Sequence, residues 1–197
     1  MNIGWNIETY LTLSAVAVST AVLLIVMRHN WKRYGALFLL SAVIGNVLCY
    51  VFVKMGFYSY PYRLFPQLFI MPVTLVTAMF PAYVVAGVRY SPKSWAFKIP
   101  FYWVAVHLGM LLEGWAKEAT QLIKYNASWD IWDSYTWWWI YLLVFEWVGG
   151  IIVPAESRKP MDQELLRYGR IGWFIGHFVL ILTVFLAGIY AGKWLAK

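Results

Sequence analysis

Long apolar stretches alternate with short polar ones along the whole chain. The apolar stretches fall at roughly 7–27, 35–55, 66–88, 98–116, 135–154 and 171–192. Each comes close to the ~20 helical residues that a hydrocarbon core of ~30 Å requires. None alternates with a period of two, and lipid admits only helices or closed barrels, so each stretch is predicted to be a helix. The expected fold is all-α: a polytopic membrane protein, one transmembrane domain over residues 1–197, built as a bundle of about six transmembrane helices. No Ser/Gly/Pro linker, charge block or internal repeat divides it.

Composition agrees. Hydrophobic residues make up 62% of the chain and charged ones 13%, where soluble domains carry about a quarter charged. The placement of Lys and Arg sets the orientation. Of the sixteen basic residues, ten lie in or beside the loops after the first, third and fifth stretches. The segment before the first stretch has Glu8 and no base, and "MRHNWKR" follows it. Both termini are therefore expected outside, in a multi-pass protein of the plasma membrane. With no positive charge ahead of the first apolar run, no cleaved signal peptide is expected. The net charge of +7 is accounted for by the topology rule and by anionic headgroups of the lipid bilayer, so nucleic acid is not an expected partner. The single cysteine, Cys49, allows no internal disulfide. "NAS" at 126–128 is a glycosylation sequon only if the chain passes through an endoplasmic reticulum.

Ionisable residues inside apolar stretches are costly and usually face the bundle. Glu146 lies eight residues before Pro154, ~12 Å from the inner edge at 1.5 Å per residue. By the same rise His107, nine residues past Lys98, lies roughly 13 Å deep and His177, seven past Arg170, about 10 Å deep. The three are expected to share one polar layer, with Pro81 bending the third helix at that level and Asn46 somewhat further out. Such a layer would serve as a proton or ion relay, as the floor of a ligand cavity, or only as packing glue. A metal or haem iron held by His107 and His177 is the other chemistry considered, but no HxxxH, HxxE or CxxCH spacing supports it and no cofactor is favoured. Glu113 is read separately, as a structural pair with Lys117 at i+4.

The outer connections "GFYSYPYRLFP" and "YNASWDIWDSYTWWW" concentrate rings. An interfacial belt explains Trp137, Trp138 and Trp139, which point in different directions around a helix. Tyr60, Tyr62, Tyr125, Asn126, Trp129 and Trp132 mix rings with amide, acid and proline neighbours and also suit an aromatic cap over a ligand. Gly172-x-x-x-Gly176 and Gly188-x-x-x-Gly192, like Ala17-x-x-x-Ala21, are expected to allow close helix packing inside the chain, or a homodimer or partner contact through the last helix. "SRKPMDQELLRYGR" suits a short surface helix, with Asp162 and Glu164 at its start and Arg167 and Arg170 at its end.

"HNWKRYGALFLLSAVIGNVLCYVF" followed by "YSYPYRLFP", and "YNASWDIWDSYTWWW" leading to "RKP", resemble a family of small polytopic membrane proteins of endospore-forming bacteria. On that resemblance Glu113 matches the family's Glu in its fourth helix, and Tyr125-Asn126-x-x-Trp129 its Tyr-Asn-Gly-Trp-like loop. The chain departs from the family in having "NAS" where Asn-Gly is usual and in its sixth helix. The resemblance implies a topology and a bacterial plasma membrane but no activity. A looser similarity is to the substrate-binding subunits of energy-coupling-factor transporters, six-helix and Trp-rich, whose cytoplasmic termini oppose the orientation expected here.

With no Walker A, nucleophile elbow or HExxH, the reading is non-enzymatic: binding or conduction of a small ligand or ion. An accessory or scaffold subunit of a larger membrane complex is the alternative. An intramembrane metal/haem redox or lipid-modifying enzyme comes third.

Overall fold

The computed structural model describes residues 4–162 and 170–195, and each apolar stretch forms a helix: α1 Ile7–Met27, α2 Trp31–Lys54, α3 Val73–Tyr90, α4 Trp95–Ala119, α5 Ile131–Ile152 and α6 Arg170–Leu195. Two residues each from the α2–α3 and α4–α5 connections pair as antiparallel strands, β1 Tyr58–Ser59 and β2 Lys124–Tyr125, with Tyr58 opposite Tyr125. The chain is thus all-helical apart from this short ladder. Helices α1–α4 are long and apolar enough to cross a membrane. α5 matches them in length but is rich in Trp and Tyr, and α6 contributes a shorter apolar stretch, Gly176–Ile189.

Local sequence sets the ends. The Asn6 side chain accepts from Thr9 N at 2.8 Å and so caps α1. Asp130 and Asp133 form a reciprocal capping box at the start of α5. At the end of α2, Gly56 adopts φ +76°. There Gly56 N donates to Val53 O and Phe57 N to Phe52 O, the 5→2 and 6→1 bonds of a Schellman motif that turns the chain into β1. The third helix starts at Val73, not near residue 66 as expected. Pro66 and Pro72 hold the preceding segment out of the helix, because the residue before a proline avoids the helical region. The surface helix expected around 162–170 lies largely outside the described residues.

The connections α1–α2 and α3–α4 and the described residues after α5 gather at one end, rich in Lys and Arg, and the strand pair lies at the other, aromatic end. The α5–α6 segment, which includes a 3-10 turn at Ala155–Ser157, is tied to the basic end. Asn30 Nδ2 donates to Ser157 Oγ at 2.9 Å, Tyr34 OH to Ser157 O at 2.9 Å, and Lys159 N to Arg89 O at 2.9 Å. α3 is central, packed against α1, α2 and α5, while α4 leans on α5. The main core lies toward the basic half, around Tyr34, Leu37, Val85, Val88, Tyr102 and Phe145. A second cluster of Cys49, Tyr58, Met71, Val76, Ile123 and Trp129 lies under the strands. Large apolar side chains such as Val18, Leu24, Leu111, Ile181 and Phe185 face outward, an exterior suited to lipid rather than water.

The crossing of α3 and α5 depends on a missing side chain. A Cβ at Gly149 would lie 2.4 Å from Val88 Cγ2 and 2.8 Å from its Cγ1. A helical valine has one strongly preferred rotamer and cannot swing aside. Gly149→Ala is therefore expected to lower stability by about 1–3 kcal/mol of overpacking, reduced by up to ~1 kcal/mol of gained helix propensity. Thermal unfolding in micelles checks this, and adding Val88→Ala should return part of the loss. The glycines of α6 behave differently: Cβ atoms at Gly176, Gly188 and Gly192 would meet nothing within 4 Å, and Ala17 and Ala21 are exposed. The expectation that these small residues serve internal packing is corrected for these five positions.

Candidate functional site

Glu146 is buried, its side chain wholly inaccessible. It stands on α5 two turns before the basic end, facing the first turns of α4. Lys98 Nζ donates to its Oε1, and Arg158 Nη1 lies 3.3 Å from the same oxygen. Tyr102 OH donates to Oε2 at 2.6 Å and Ser91 Oγ at 3.0 Å. Arg89, in the last turn of α3, is 4% exposed, with Nη1 donating to Ser157 O at 3.1 Å. Tyr102 is itself seated against the bare backbone of Gly87, where a Cβ would come within 2.8 Å of its hydroxyl. The cluster therefore links four segments: the loop after α3, the start of α4, the last turns of α5 and the residues that follow α5.

Of the expected layer, Glu146 and His107 do not meet. His107 Nδ1 lies 2.8 Å from Trp103 O, and its ring packs edge-on against Tyr135 with centroids 5.4 Å apart. Tyr135 precedes Glu146 by eleven residues on α5, ~16 Å along the axis, so His107 belongs to a different level. His177 lies half-buried on α6 and is not among the hydrogen-bond or ion-pair partners of Glu146 described above. Asn46 donates to Thr77 Oγ1 at 2.9 Å and to Ala42 O at 2.8 Å, a polar link between α2 and α3. No group of three or more His, Cys, Asp or Glu that could hold a metal lies together among the described residues.

The space between the helices lies at the aromatic end. A cavity of about 240 Å³ is lined by α1 to α5, with β1 and Trp129 at its aromatic end. Its wall is almost entirely apolar, from residues such as Leu48, Phe52, Met79, Phe80 and Ile123. Where α4 forms the wall, Leu112 and Trp115 line the cavity and are also exposed outward, so the cavity reaches the surface there. The carboxylate on the wall is Glu113. Tyr125 OH donates to its Oε1 at 2.5 Å and Trp138 Nε1 to its Oε2 at 2.8 Å. A hydroxyl has one proton, so with that of Tyr125 on the carboxylate, Ser134 donates to Tyr125 across 2.9 Å, while Trp129 Nε1 donates to Ser134 Oγ at 2.9 Å. Burial and then the Glu113 charge push the Tyr125 phenol up, so it stays a donor at any physiological pH. Burial raises Tyr58 and Tyr60 likewise, with Cys49 and Glu113 adding to it.

The expected Glu113–Lys117 pair is corrected: Lys117 Nζ lies 2.5 Å from Glu118 Oε1 and over the Tyr125 ring at 5.4 Å. The six aromatic-cap candidates take different positions. Trp129 is buried, stacked on Phe57 at 5.1 Å and edge-on to Tyr58 at 5.3 Å. Tyr60 lines the cavity beside Cys49, and Tyr125 holds Glu113. Tyr62 is buried with its hydroxyl 2.5 Å from Thr9 Oγ1, fastening the loop to α1. Asn126 Nδ2 donates to Gly56 O at 2.7 Å and secures the turn after α2. Trp132 is 38% exposed and stands apart from the cavity.

Sequence reasoning counts Lys98 and Arg158 among the basic residues of the inner loops and pairs Glu113 with Lys117. The usable signal was reach: a Lys stem at the start of one helix can run along its neighbour to an acid two turns inside. Comparison with family models, with curated proteins and with solved structures found no match to this chain.

Proposed function

We propose that the chain is a non-enzymatic, multi-pass protein of the plasma membrane that binds a small ligand, for sensing or passage, in the cavity at its aromatic end. In this reading all six helices span the bilayer with both termini and the aromatic end outside, and the basic end meets the cytoplasmic headgroups. The observation that carries it is the apolar space between the helices with a single carboxylate on its wall. Cavities of about 150 Å³ already admit a benzene ring, so 240 Å³ suits a compact ligand somewhat larger than that. The Glu146 cluster has the opposite character: both oxygens of its carboxylate are taken up by donors of the same chain, which suits a clasp that fixes the frame around the cavity.

Filling the space from its wall tests the reading. Ala15 on α1 and Ala116 on α4 both line the cavity. Protein in lipid nanodiscs is expected to carry a small molecule that extraction and mass spectrometry detect and that empty nanodiscs lack. Ala116→Phe or Ala15→Phe should cut its occupancy about tenfold, the equivalent of ~1.4 kcal/mol. Equal occupancy in wild type and both variants would remove the cavity as the site. A second reading, an accessory subunit, is favoured by the open glycine face of α6. It predicts a partner that leaves on Gly188→Leu while cavity occupancy is unchanged.

A further inference from the structure

Resting on the cavity being the binding site, we propose that it selects a small organic monocation, an ammonium group carried on an apolar or aromatic body, with Glu113 as its counter-ion. The first ground is a contrast between two carboxylates that face the inside of the bundle. Glu146 is met by Lys98 and Arg158, whereas Glu113, on the cavity wall, has no ion pair among the described residues. Its two partners, the Tyr125 hydroxyl and the Trp138 N–H, are neutral donors. They orient the carboxylate and leave it without an ion-pair partner in a space whose walls are apolar. A cation entering that space gains the charge that the protein withholds.

The walls suit a cation in a second way. Rings of Phe52, Tyr58, Tyr60, Trp129 and Trp137 line the same cavity, and the negative face of an aromatic ring attracts an ammonium, more strongly where water is excluded. The phenols of Tyr58 and Tyr60 are pushed up by burial and stay neutral, so they add no competing charge. On the α1 side, Thr12 is 3% exposed, lines the cavity, and its Oγ1 has no hydrogen-bond partner. That oxygen is left free to accept from a ligand N–H. An anion is repelled by Glu113, and a neutral apolar molecule gains nothing from it.

Benzyltrimethylammonium and neopentylbenzene, which differ in a charged nitrogen against a carbon, are the probes. Binding to wild-type protein in nanodiscs is read as the thermal shift beyond that of Ala116→Phe in the same nanodiscs, which subtracts partition into lipid. The ammonium is expected to bind at least about tenfold tighter than its isostere. Glu113→Gln should abolish that preference while retaining the weak binding of neopentylbenzene, which also shows that the variant is folded. If the isostere binds the wild type as well as the ammonium does, or Glu113→Gln keeps the preference, the cation is overturned and the cavity as a site stands. If neither probe binds the wild type beyond Ala116→Phe, both readings fall. The wild-type preference decides the proposal even if Glu113→Gln does not fold.

Discussion

Glu146→Leu should destabilise the folded chain by roughly 3–5 kcal/mol, the range for breaking a buried ion pair by removing one partner. The carboxylate is fully inaccessible, and its two oxygens take four donors: Lys98, Arg158, Ser91 and Tyr102. Leucine fills much of the volume and offers no acceptor. Lys98 and Arg158, whose side chains are only 10% and 13% exposed, are then left charged beside Arg89 with no anion between them. Like-charge repulsion adds to the desolvation that the carboxylate had offset. Glu146→Gln keeps an acceptor for Tyr102 or Ser91 and should cost less than Leu. Lys98→Met alone should also cost less, because Arg158 remains on Glu146. The decisive comparison is Glu146→Leu with Lys98→Met. Removing both members of the closest pair takes away one of the two stranded charges and leaves Arg158, so the double variant should recover part of the single loss. Reversible unfolding in mixed micelles, followed by Trp fluorescence, measures all four. Additive losses would mean that Lys98 and Glu146 do not depend on each other, and the clasp would have to be given up.

The helices were legible in the sequence because lipid makes a demand that sequence reports directly: a run of apolar residues long enough to hide its own backbone bonds. The start of α3 was missed by seven residues because an apolar count ignores what Pro66 and Pro72 do to the backbone before it. The side-chain clusters were less legible, for a geometric reason. Depth along a helix follows from counting at 1.5 Å per residue, but direction around the axis depends on which helices are neighbours. His107 and Glu146 were therefore matched in depth, whereas the structure sets His107 against Tyr135 and Glu146 against Tyr102. Depth itself was distorted by treating Lys98 as a marker of the membrane edge, when it folds back to Glu146. Glu113 illustrates a competition of energies. The i,i+4 partner Lys117 offered a few tenths of a kcal/mol. Tyr125 and Trp138, delivered by the strand pair and by α5, form charge-assisted hydrogen bonds of roughly 1.5–3 kcal/mol each. The local pattern lost to the tertiary one.

That competition sets the second large expectation, Glu113→Leu, at about 2–4 kcal/mol of lost stability. The substitution strips the acceptor from Tyr125 OH and from Trp138 Nε1 at once. A stranded donor costs about 1–3 kcal/mol when no water can reach it. Glu113 is half-buried, so the total should fall below the simple sum of two such penalties. Trp138 is the more exposed to harm: it is 4% accessible, its ring seats on Gly109 and stacks on Phe80 at 4.9 Å, and it has little room to turn its N–H elsewhere. Tyr125 retains Ser134 as a partner. Tyr125→Phe, which removes one of the two donors and leaves the other bond intact, should therefore cost only about 1 kcal/mol. The order expected on unfolding in micelles is wild type, Tyr125→Phe, then Glu113→Leu. Because Trp138 anchors α5 to α3 and α4 beside the cavity, the loss should also appear locally, as faster amide exchange at the start of α5 and in β2 while α1 and the basic end stay protected. Uniform loosening of the whole bundle, or a Glu113→Leu variant as stable as wild type, would show that the Glu113 carboxylate is not what holds the aromatic end together.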